Sequence, residues 1–394
     1  ANLAYIATAI KEMTAVGDQQ SRKPASLPDQ NQPDRSALIS REKTVGHATR
    51  KQIRGSSLLM FGQFISVGLN FFSQVLIVRY LSQADYGAWT YALSVVVFFE
   101  GFASLGLKRA VSRFSPIFHE KEEYNKICGT IFLSFISVIL TGLVFLVAVW
   151  ISPETITKLV QGDGQPVVLL LILIFLVPVE AMDVLLLSLF SCFASSKIIF
   201  TRKHLFGPGM KLLVVLMLVW FESDVFFLAY GYLAVHILLV IFYSYVLILL
   251  LKKKGVLQHF KAKLIEVPAK EIFAFSIPLM TSDLVNVLMH ASDTLLLGYF
   301  HDTVAVASYK VILPAAHFNK LVMTSFAILF TPLAARLYAR KDYQGINELY
   351  WKTAVWLGIL SFPMFAITFA LAEPLTVFLY GERYASSAVF LQML

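Results

Sequence analysis

The segment "DLVNVLMHASD" at residues 283–293 places polar side chains inside an otherwise apolar stretch. Asp283, Asn286, His290 and Asp293 are spaced three, four and three residues apart. On a helix this spacing keeps them within about 60° of one face. Such groups are costly in lipid, so they either line a wet cavity, where they contact a polar substrate or a coupling ion, or pair with buried cations. We favour the cavity.

An internal repeat gives this stripe a partner. Shifted by 220 residues, its positions fall on Gln63, Ser66, Asn70 and Ser73, which have the same spacing and carry no charge. Two other segments, "ETITKLVQGD" and "EPLTVFLYGE", match at an offset of 219 residues. Six predicted spans separate equivalent points, so both halves cross the membrane in the same direction. We therefore predict two parallel six-helix lobes around a central cavity, with both stripes facing it.

Further ionisable groups lie in the predicted spans. Four of them can line the same cavity: Glu100, Lys310, His317 and Lys320. The alternative for the charged groups, Asp283 and Asp293 included, is pairing between helices, which can be close to neutral in energy. Structural pairing is favoured for three others: Glu180, Asp183 and Lys211.

Long apolar stretches position these groups. The chain has 394 residues, of which 57% are hydrophobic and 15% charged. Stretches long enough to cross a core of about 30 Å must be helices, because lipid offers the backbone no hydrogen-bond partner. The fold class is therefore an all-α polytopic membrane protein, and its second lobe is truncated inside a tenth span that begins near residue 385. The nine complete predicted spans are 56–80, 88–107, 127–151, 167–195, 205–221, 225–251, 272–300, 303–332 and 352–372.

The charges in the loops predict the orientation. Eighteen Lys and Arg residues fall in the even-numbered loops and three in the odd-numbered loops. Loops rich in Lys and Arg stay in the cytoplasm, so the N-terminus is predicted to be cytoplasmic. The predicted domains are a disordered polar tail at 1–52, an N-lobe at 53–251, a basic cytoplasmic linker at 252–271 and a C-lobe at 272–394.

Several function classes are disfavoured by the sequence. The net charge of +8 is spread over loops instead of one folded face, so we predict no nucleic-acid partner. No metal-ligand spacing, cofactor motif or acid pair in the loops occurs, so we predict no metal, no cofactor and no enzymatic reaction, a membrane glycosyltransferase or polymerase included. The loop motif of major-facilitator transporters is replaced by "GLKRAVSRFSPIF" after the second span.

Two parts of the chain resemble a known family. Residues 56–114 contain a polar-striped first helix, the turn "RYLSQADYG" and the segment "GLKRAVSRF" after the second helix. The chain ends with "FLYGERYASSAVFLQML". Over residues 54–394 it resembles bacterial polysaccharide and O-antigen flippases, whose superfamily also includes multidrug-and-toxin exporters and the lipid II flippase.

This resemblance implies a location in the bacterial cytoplasmic (inner) membrane, in contact with membrane lipids. It implies that the protein moves undecaprenyl-pyrophosphate-linked sugar repeat units from the inner to the outer leaflet. The cavity of such flippases carries cationic groups for the pyrophosphate. Here the candidates are Lys310 and Lys320, with His317 and Arg79 beside them.

Three acidic groups depart from a purely cationic cavity: Glu100, Asp283 and Asp293. Multidrug relatives use membrane carboxylates for ion coupling. An ion-coupled multidrug or metabolite antiporter of the same superfamily therefore remains the alternative. In a flippase, the same carboxylates could take up H⁺ or Na⁺ while the empty carrier returns.

Overall fold

The computed structural model of the chain describes residues 35–151, 164–193, 196–256 and 266–393. Regular structure in this part of the chain is helical throughout. The helices are α1 Arg35–Tyr80, α2 Gln83–Ala103, α3 Leu107–Glu120, α4 Tyr124–Ile151, α5 Gln165–Leu173, α6 Leu176–Cys192, α7 Ser196–Ile199, a π-helical segment Phe200–Phe206, α8 Gly207–Trp220, α9 Val225–Lys253, α10 Ala269–Phe300, α11 Thr303–Lys310, α12 Leu313–Ala339, α13 Tyr343–Ala370, α14 Ala372–Tyr380, a 3₁₀ helix Glu382–Ser387 and α15 Ala388–Met393.

The lengths and hydropathy of these helices confirm a multi-pass membrane protein. Among the described residues, seven helices are long and apolar enough to cross a membrane, or eight if the bent pair α2–α3 is one span. These two helices meet at 43°. Gly106 lies at the break with a φ of 65°, a left-handed conformation that glycine adopts without a steric cost. The predicted eighth span is also broken, between α11 and α12.

The predicted tail differs from the structure over part of its length. Helix α1 begins at Arg35, whereas the sequence predicted an irregular segment as far as residue 52. Residues 1–34 lie outside the described part of the chain. The segment from Ser36 to Gln52 contains no proline, and a helix that is already nucleated by a membrane span extends at the cost of one residue at a time. Its polar composition was therefore a poor indicator of disorder.

The chain separates by its internal contacts into Ala1–Arg54 and Gly55–Leu394, and the second unit holds every candidate span. Within that unit, the span at the end of α1 and helices α2 to α9 form the first lobe, in which α2 to α9 pack tightly. Trp89 of α2 meets the ring of Tyr232 of α9 edge-on at 4.9 Å. Gly142 of α4 lies so close to Pro178 of α6 that a Cβ there would overlap the proline ring. Small residues at such positions allow membrane helices to approach closely.

Helix α2 carries much of the contact with the second lobe. It packs against α10 and α11, while α3 packs against α10. At Gly87, an added Cβ would overlap the carbonyl oxygen of Thr303 in α11. The backbones of the two lobes therefore touch directly at this point.

Candidate functional site

A cavity of about 640 Å³ lies between the two lobes. Its walls come from α1, α2, α8 and α9 on one side and from α10, α11 and α12 on the other. Five of the sequence-predicted residues line it: Asn70, Ser73, His290, Asp293 and Lys310. This volume is in the range of sites for small molecules and polar head groups.

Two lysines, one from each lobe, line this cavity. Lys211 comes from α8 and Lys310 from the last position of α11. Among the described residues, neither ammonium group has a carboxylate within 4.0 Å. Lys211 instead lies over the ring of Tyr232, with its Nζ 5.4 Å from the ring centroid. Cations held in this way in a low-dielectric wall attract an anionic ligand strongly.

The polar groups around Lys310 are held by hydrogen bonds. The hydroxyl of Tyr309 donates to Oδ2 of Asp293 at 2.9 Å. The amide of Gln74 in α1 donates to the hydroxyl of Tyr86 at 2.6 Å and to the carbonyl oxygen of Lys310 at 3.4 Å. Gln74 therefore joins the two lobes at the cavity wall.

Asp283 was predicted to face the cavity, and the structure places it elsewhere. The residue is 6% exposed, and its carboxylate lies against α3. Arg109 donates to Oδ1 at 2.6 Å, and Nζ of Lys108 lies 3.4 Å from Oδ2. The stripe had been projected as one face with one environment. Helix α10 is 32 residues long, so its N-terminal part meets α3 while the part from Met289 to Asp293 meets the cavity.

Gln63 and Asn286 are also absent from the described lining of the cavity. Both side chains are exposed, and the amide of Asn286 donates to the carbonyl oxygen of Ser282 in its own helix at 2.8 Å. Gln63 precedes the cavity-lining residues of α1, and Asn286 precedes those of α10. His317 and Lys320 fall in α12, but their side chains are outside what the structure describes.

Glu100 lies in a second, smaller cavity of about 180 Å³ inside the first lobe. The charged or titratable side chains that line it are Glu100, Glu180, Asp183, Arg202, Lys211 and His236. Asp183 forms an ion pair with Arg202 of the π-helical segment, and Nδ1 of His236 lies 3.4 Å from Oε1 of Glu180. Structural pairing is thus confirmed for Asp183, and its partner is Arg202.

Sequence reasoning missed several residues of the larger cavity. Lys211 lines both cavities, and its signal was present as a single lysine in an apolar span. Gln74 lies one position beyond the predicted stripe, so extending that stripe would have found it. Tyr86, Tyr309 and Tyr232 carried no signal, because aromatic residues are common throughout these spans.

Two models of known protein families match the chain. A family model described as a polysaccharide biosynthesis protein matches residues 53–330, which is more than half of the chain. The chain belongs to this family. A second family model, described as MatE, matches residues 278–393 of the same chain. No curated protein matches it in sequence.

Solved structures share the fold at low identity. An inward-facing multidrug resistance MATE family transporter of the MOP superfamily is similar with a TM-score of 0.62 and 11% identity, covering 84% of this chain and 75% of that one. The lipid II flippase MurJ in an inward closed conformation gives 0.61 and 16%, covering 84% and 69%. An outward-facing multidrug resistance MATE family transporter of the MOP superfamily gives 0.58 and 12%, covering 87% and 79%. The chain therefore has the fold of the MOP transporter superfamily.

Proposed function

We propose that this protein moves a lipid-linked oligosaccharide across the bacterial cytoplasmic membrane by alternating access. Its substrate is an undecaprenyl-pyrophosphate-linked repeat unit of a surface polysaccharide such as O-antigen. The head group passes through the cavity between the lobes while the lipid tail stays in the bilayer. The protein's role in this proposal is transport, without a chemical reaction.

One observation carries the proposal: the cavity presents Lys211 and Lys310 from opposite lobes without a carboxylate within 4.0 Å in the described residues. A diphosphate carries enough negative charge to interact with both lysines. Neutral polar side chains, among them Asn70, Gln74 and Thr90, line the cavity beside apolar residues and Asp293, and they suit the hydroxyl groups of sugars. The family description and the lipid II flippase fold are consistent with such a substrate.

The direction of transport follows from electrostatics. A diphosphate cannot cross bare hydrocarbon, because an isolated charge there costs many kcal/mol. An inside-negative membrane potential favours outward movement of an anion by about 2.3 kcal/mol per charge for each 100 mV, or about 4.6 kcal/mol for two charges. The cavity thus has to lower the barrier and then return empty. Uptake of H⁺ or Na⁺ by a carboxylate such as Asp293 would assist that return.

The loop charges support an inner-membrane orientation with the N-terminus in the cytoplasm. In this orientation Tyr80, at the end of α1, lies at the outer end of the bundle, and Lys253, at the end of α9, lies at the inner end.

The second candidate is an ion-coupled multidrug or metabolite antiporter. It is favoured by the MatE match over residues 278–393 and by the cluster of charged side chains around Glu100 in the smaller cavity. An antiporter for cationic drugs would need a negative cavity. The pair of lysines in the larger cavity argues against that substrate class.

The experiment replaces both lysines, as Lys211→Ala with Lys310→Ala. A hydrogen bond to a charged group contributes about 1.5–3 kcal/mol, so each loss should lower substrate binding about tenfold or more. We expect surface polysaccharide to fall at least tenfold and lipid-linked repeat units to accumulate in the inner leaflet, as measured by extraction and mass spectrometry.

The matched control replaces Lys203 and Lys254 by alanine. Both are exposed lysines, one in the π-helical segment that leads into α8 and one at the end of α9, and neither lines the cavity. Normal polysaccharide export in the double cavity variant would overturn the assignment of the phosphate site. Loss of drug resistance with intact polysaccharide would support the antiporter instead.

A further inference from the structure

Two arginines tie the lobes together at the outer end of the bundle. Nε of Arg79, in the last turn of α1, donates to the carbonyl oxygen of Leu379 at 2.9 Å, and its NH2 group donates to the carbonyl oxygen of Phe378. Both carbonyl groups belong to the last turn of α14. Arg79 was a sequence candidate for the pyrophosphate, and here it contacts backbone instead.

The contact is reciprocal. Arg383, in the 3₁₀ helix that follows α14, donates to the carbonyl oxygens of Val78 and Arg79, the latter at 3.1 Å. Each arginine thus caps the C-terminal turn of a helix in the opposite lobe. The last four carbonyl groups of a helix have no partner within it and carry the negative end of its dipole. A guanidinium group supplies hydrogen-bond donors to these carbonyl groups and a positive charge at the negative end of the dipole.

A third contact strengthens this set. The amide of Gln83, at the start of α2, donates to the carbonyl oxygen of Arg383 at 2.5 Å. We call Arg79, Gln83, Arg383 and the carbonyl groups that they contact the outer latch. All of its contacts from one lobe to the other end on backbone oxygens, which water satisfies equally well when the lobes separate.

The latch lies next to the larger cavity along α1 and α2. The cavity lining includes Asn70 to Ile77 on α1 and Tyr86 to Val97 on α2, on the inner side of the latch in both helices. Tyr380 and Tyr384, on either side of the turn that carries Arg383, are buried, and neither hydroxyl has a hydrogen-bond partner in the described residues. Unsatisfied buried hydroxyls weaken the closed arrangement, because water would satisfy them once the latch opens.

We propose that the outer latch is the gate through which the cavity opens to the outside, and that its arginines must leave the helix ends in each transport cycle. This inference rests on the proposed transport function for its role in the cycle. The gate itself is a property of the closed structure. The two can therefore be tested separately.

The first test measures the gate without any substrate. Thr90→Cys places a thiol in the cavity lining, in a background where Cys128 and Cys192 are replaced by alanine. Arg79→Gln with Arg383→Gln should raise the rate at which a membrane-impermeant thiol reagent labels this cysteine from outside at least fivefold. Unchanged labelling in a folded variant would overturn the gate.

The control for this test is Lys352→Gln, at an exposed lysine whose ion pair is with Glu348 in its own helix. Labelling of inverted vesicles reports the opposite side. Faster labelling there, and not from outside, would place the latch at the inner end and overturn its assignment as the outer gate.

The second test locks the latch and leaves both arginines in place. Gln83→Cys with Glu382→Cys, joined by a short cleavable thiol cross-linker, should stop polysaccharide export, and cleavage should restore it. The control pair, Asp85→Cys with Gln165→Cys, lies at the same end but within the first lobe, where the native side chains are 2.6 Å apart. Cross-linking there should leave export unchanged.

The outcomes separate the two proposals. Continued export through a fully cross-linked latch would overturn the gate and leave the transport function intact. If the parent protein exports no polysaccharide, the proposed function fails, and the labelling of Thr90→Cys still decides whether the latch closes the cavity. A double arginine variant that does not fold leaves the cross-linking test to decide.

Discussion

The ion pairs of Asp283 predict an asymmetric response to mutation. Asp283 joins α10 to α3 through Arg109 and Lys108, and we call these three residues the inner clamp. The side chain of Asp283 is 7% exposed, while those of Lys108 and Arg109 are 36% and 35% exposed. Removing the cations therefore leaves a buried charge without a partner, whereas removing the acid leaves cations that can reach water.

The magnitudes follow from this difference in burial. Lys108→Gln with Arg109→Gln should destabilise the protein by about 3–5 kcal/mol, the usual effect of leaving a buried charge unpaired. Asp283→Asn should cost about 1 kcal/mol or less, because the remaining cations are partly solvated and exposed pairs contribute little. Combining all three changes should cost less than the double cation variant alone, since no buried charge remains.

The single variants sharpen the prediction. Arg109 makes a hydrogen bond to Asp283 at 2.6 Å, while the 3.4 Å approach of Lys108 lacks hydrogen-bond geometry, so Oδ2 has no such partner. Arg109→Gln should therefore be the more damaging change, with Lys108→Gln as its matched neighbour. The assay is unfolding by a denaturing detergent in mixed micelles, followed by tryptophan fluorescence. If Asp283→Asn destabilises the protein as much as the double cation variant, the burial argument is wrong.

Two further predictions concern α11 and its contact with α2. Gly87→Ala should lower the yield of folded protein, because its Cβ would overlap the carbonyl oxygen of Thr303; Gly68→Ala, which has nothing within 4 Å of the new Cβ, is the control, and equal yields on size-exclusion chromatography would contradict the close contact. Asp302→Ala should destabilise the protein by about 0.5–2 kcal/mol, since its Oδ1 accepts from the backbone N–H of Ala305 at 2.7 Å as the N-cap of α11. Asp302→Asn retains a capping oxygen and should unfold close to the parent in the same detergent titration; a loss as large as that of alanine would exclude capping as the cause.

The sequence was sufficient to predict the helical architecture, because hydropathy over some twenty residues is a local property. The repeat then predicted that Asn70 and His290 line one cavity, and both line it in the structure. What the repeat could not supply was where along each helix the cavity ends. The end of the cavity depends on which helix lies opposite. Asp293 lines the cavity, whereas Asp283, about three turns away on the same helix, lies against α3.

The π-helical segment shows a second limit. Nothing in the composition of Phe200–Phe206 distinguishes it from an ordinary helical turn. Its wider winding changes the direction of every side chain that follows, so a projection at 100° per residue fails beyond it. Lys211, five residues after this segment, lines the larger cavity, whereas structural pairing was favoured for it from the sequence.

The latch and the clamp lie on opposite sides of the larger cavity along α2 and α3. At the end of the bundle near Tyr80 the lobes are held by arginines on backbone oxygens, and on the other side of the cavity by Asp283 with its two cations. Both contacts are polar, so water that enters an opening end replaces most of what is lost. An apolar closure would instead expose area at about 25 cal/mol for each Å² on opening. In the proposed alternating access, where the carrier opens to each side in turn, these polar contacts on both sides of the cavity therefore reduce the energy difference between the closed and open arrangements.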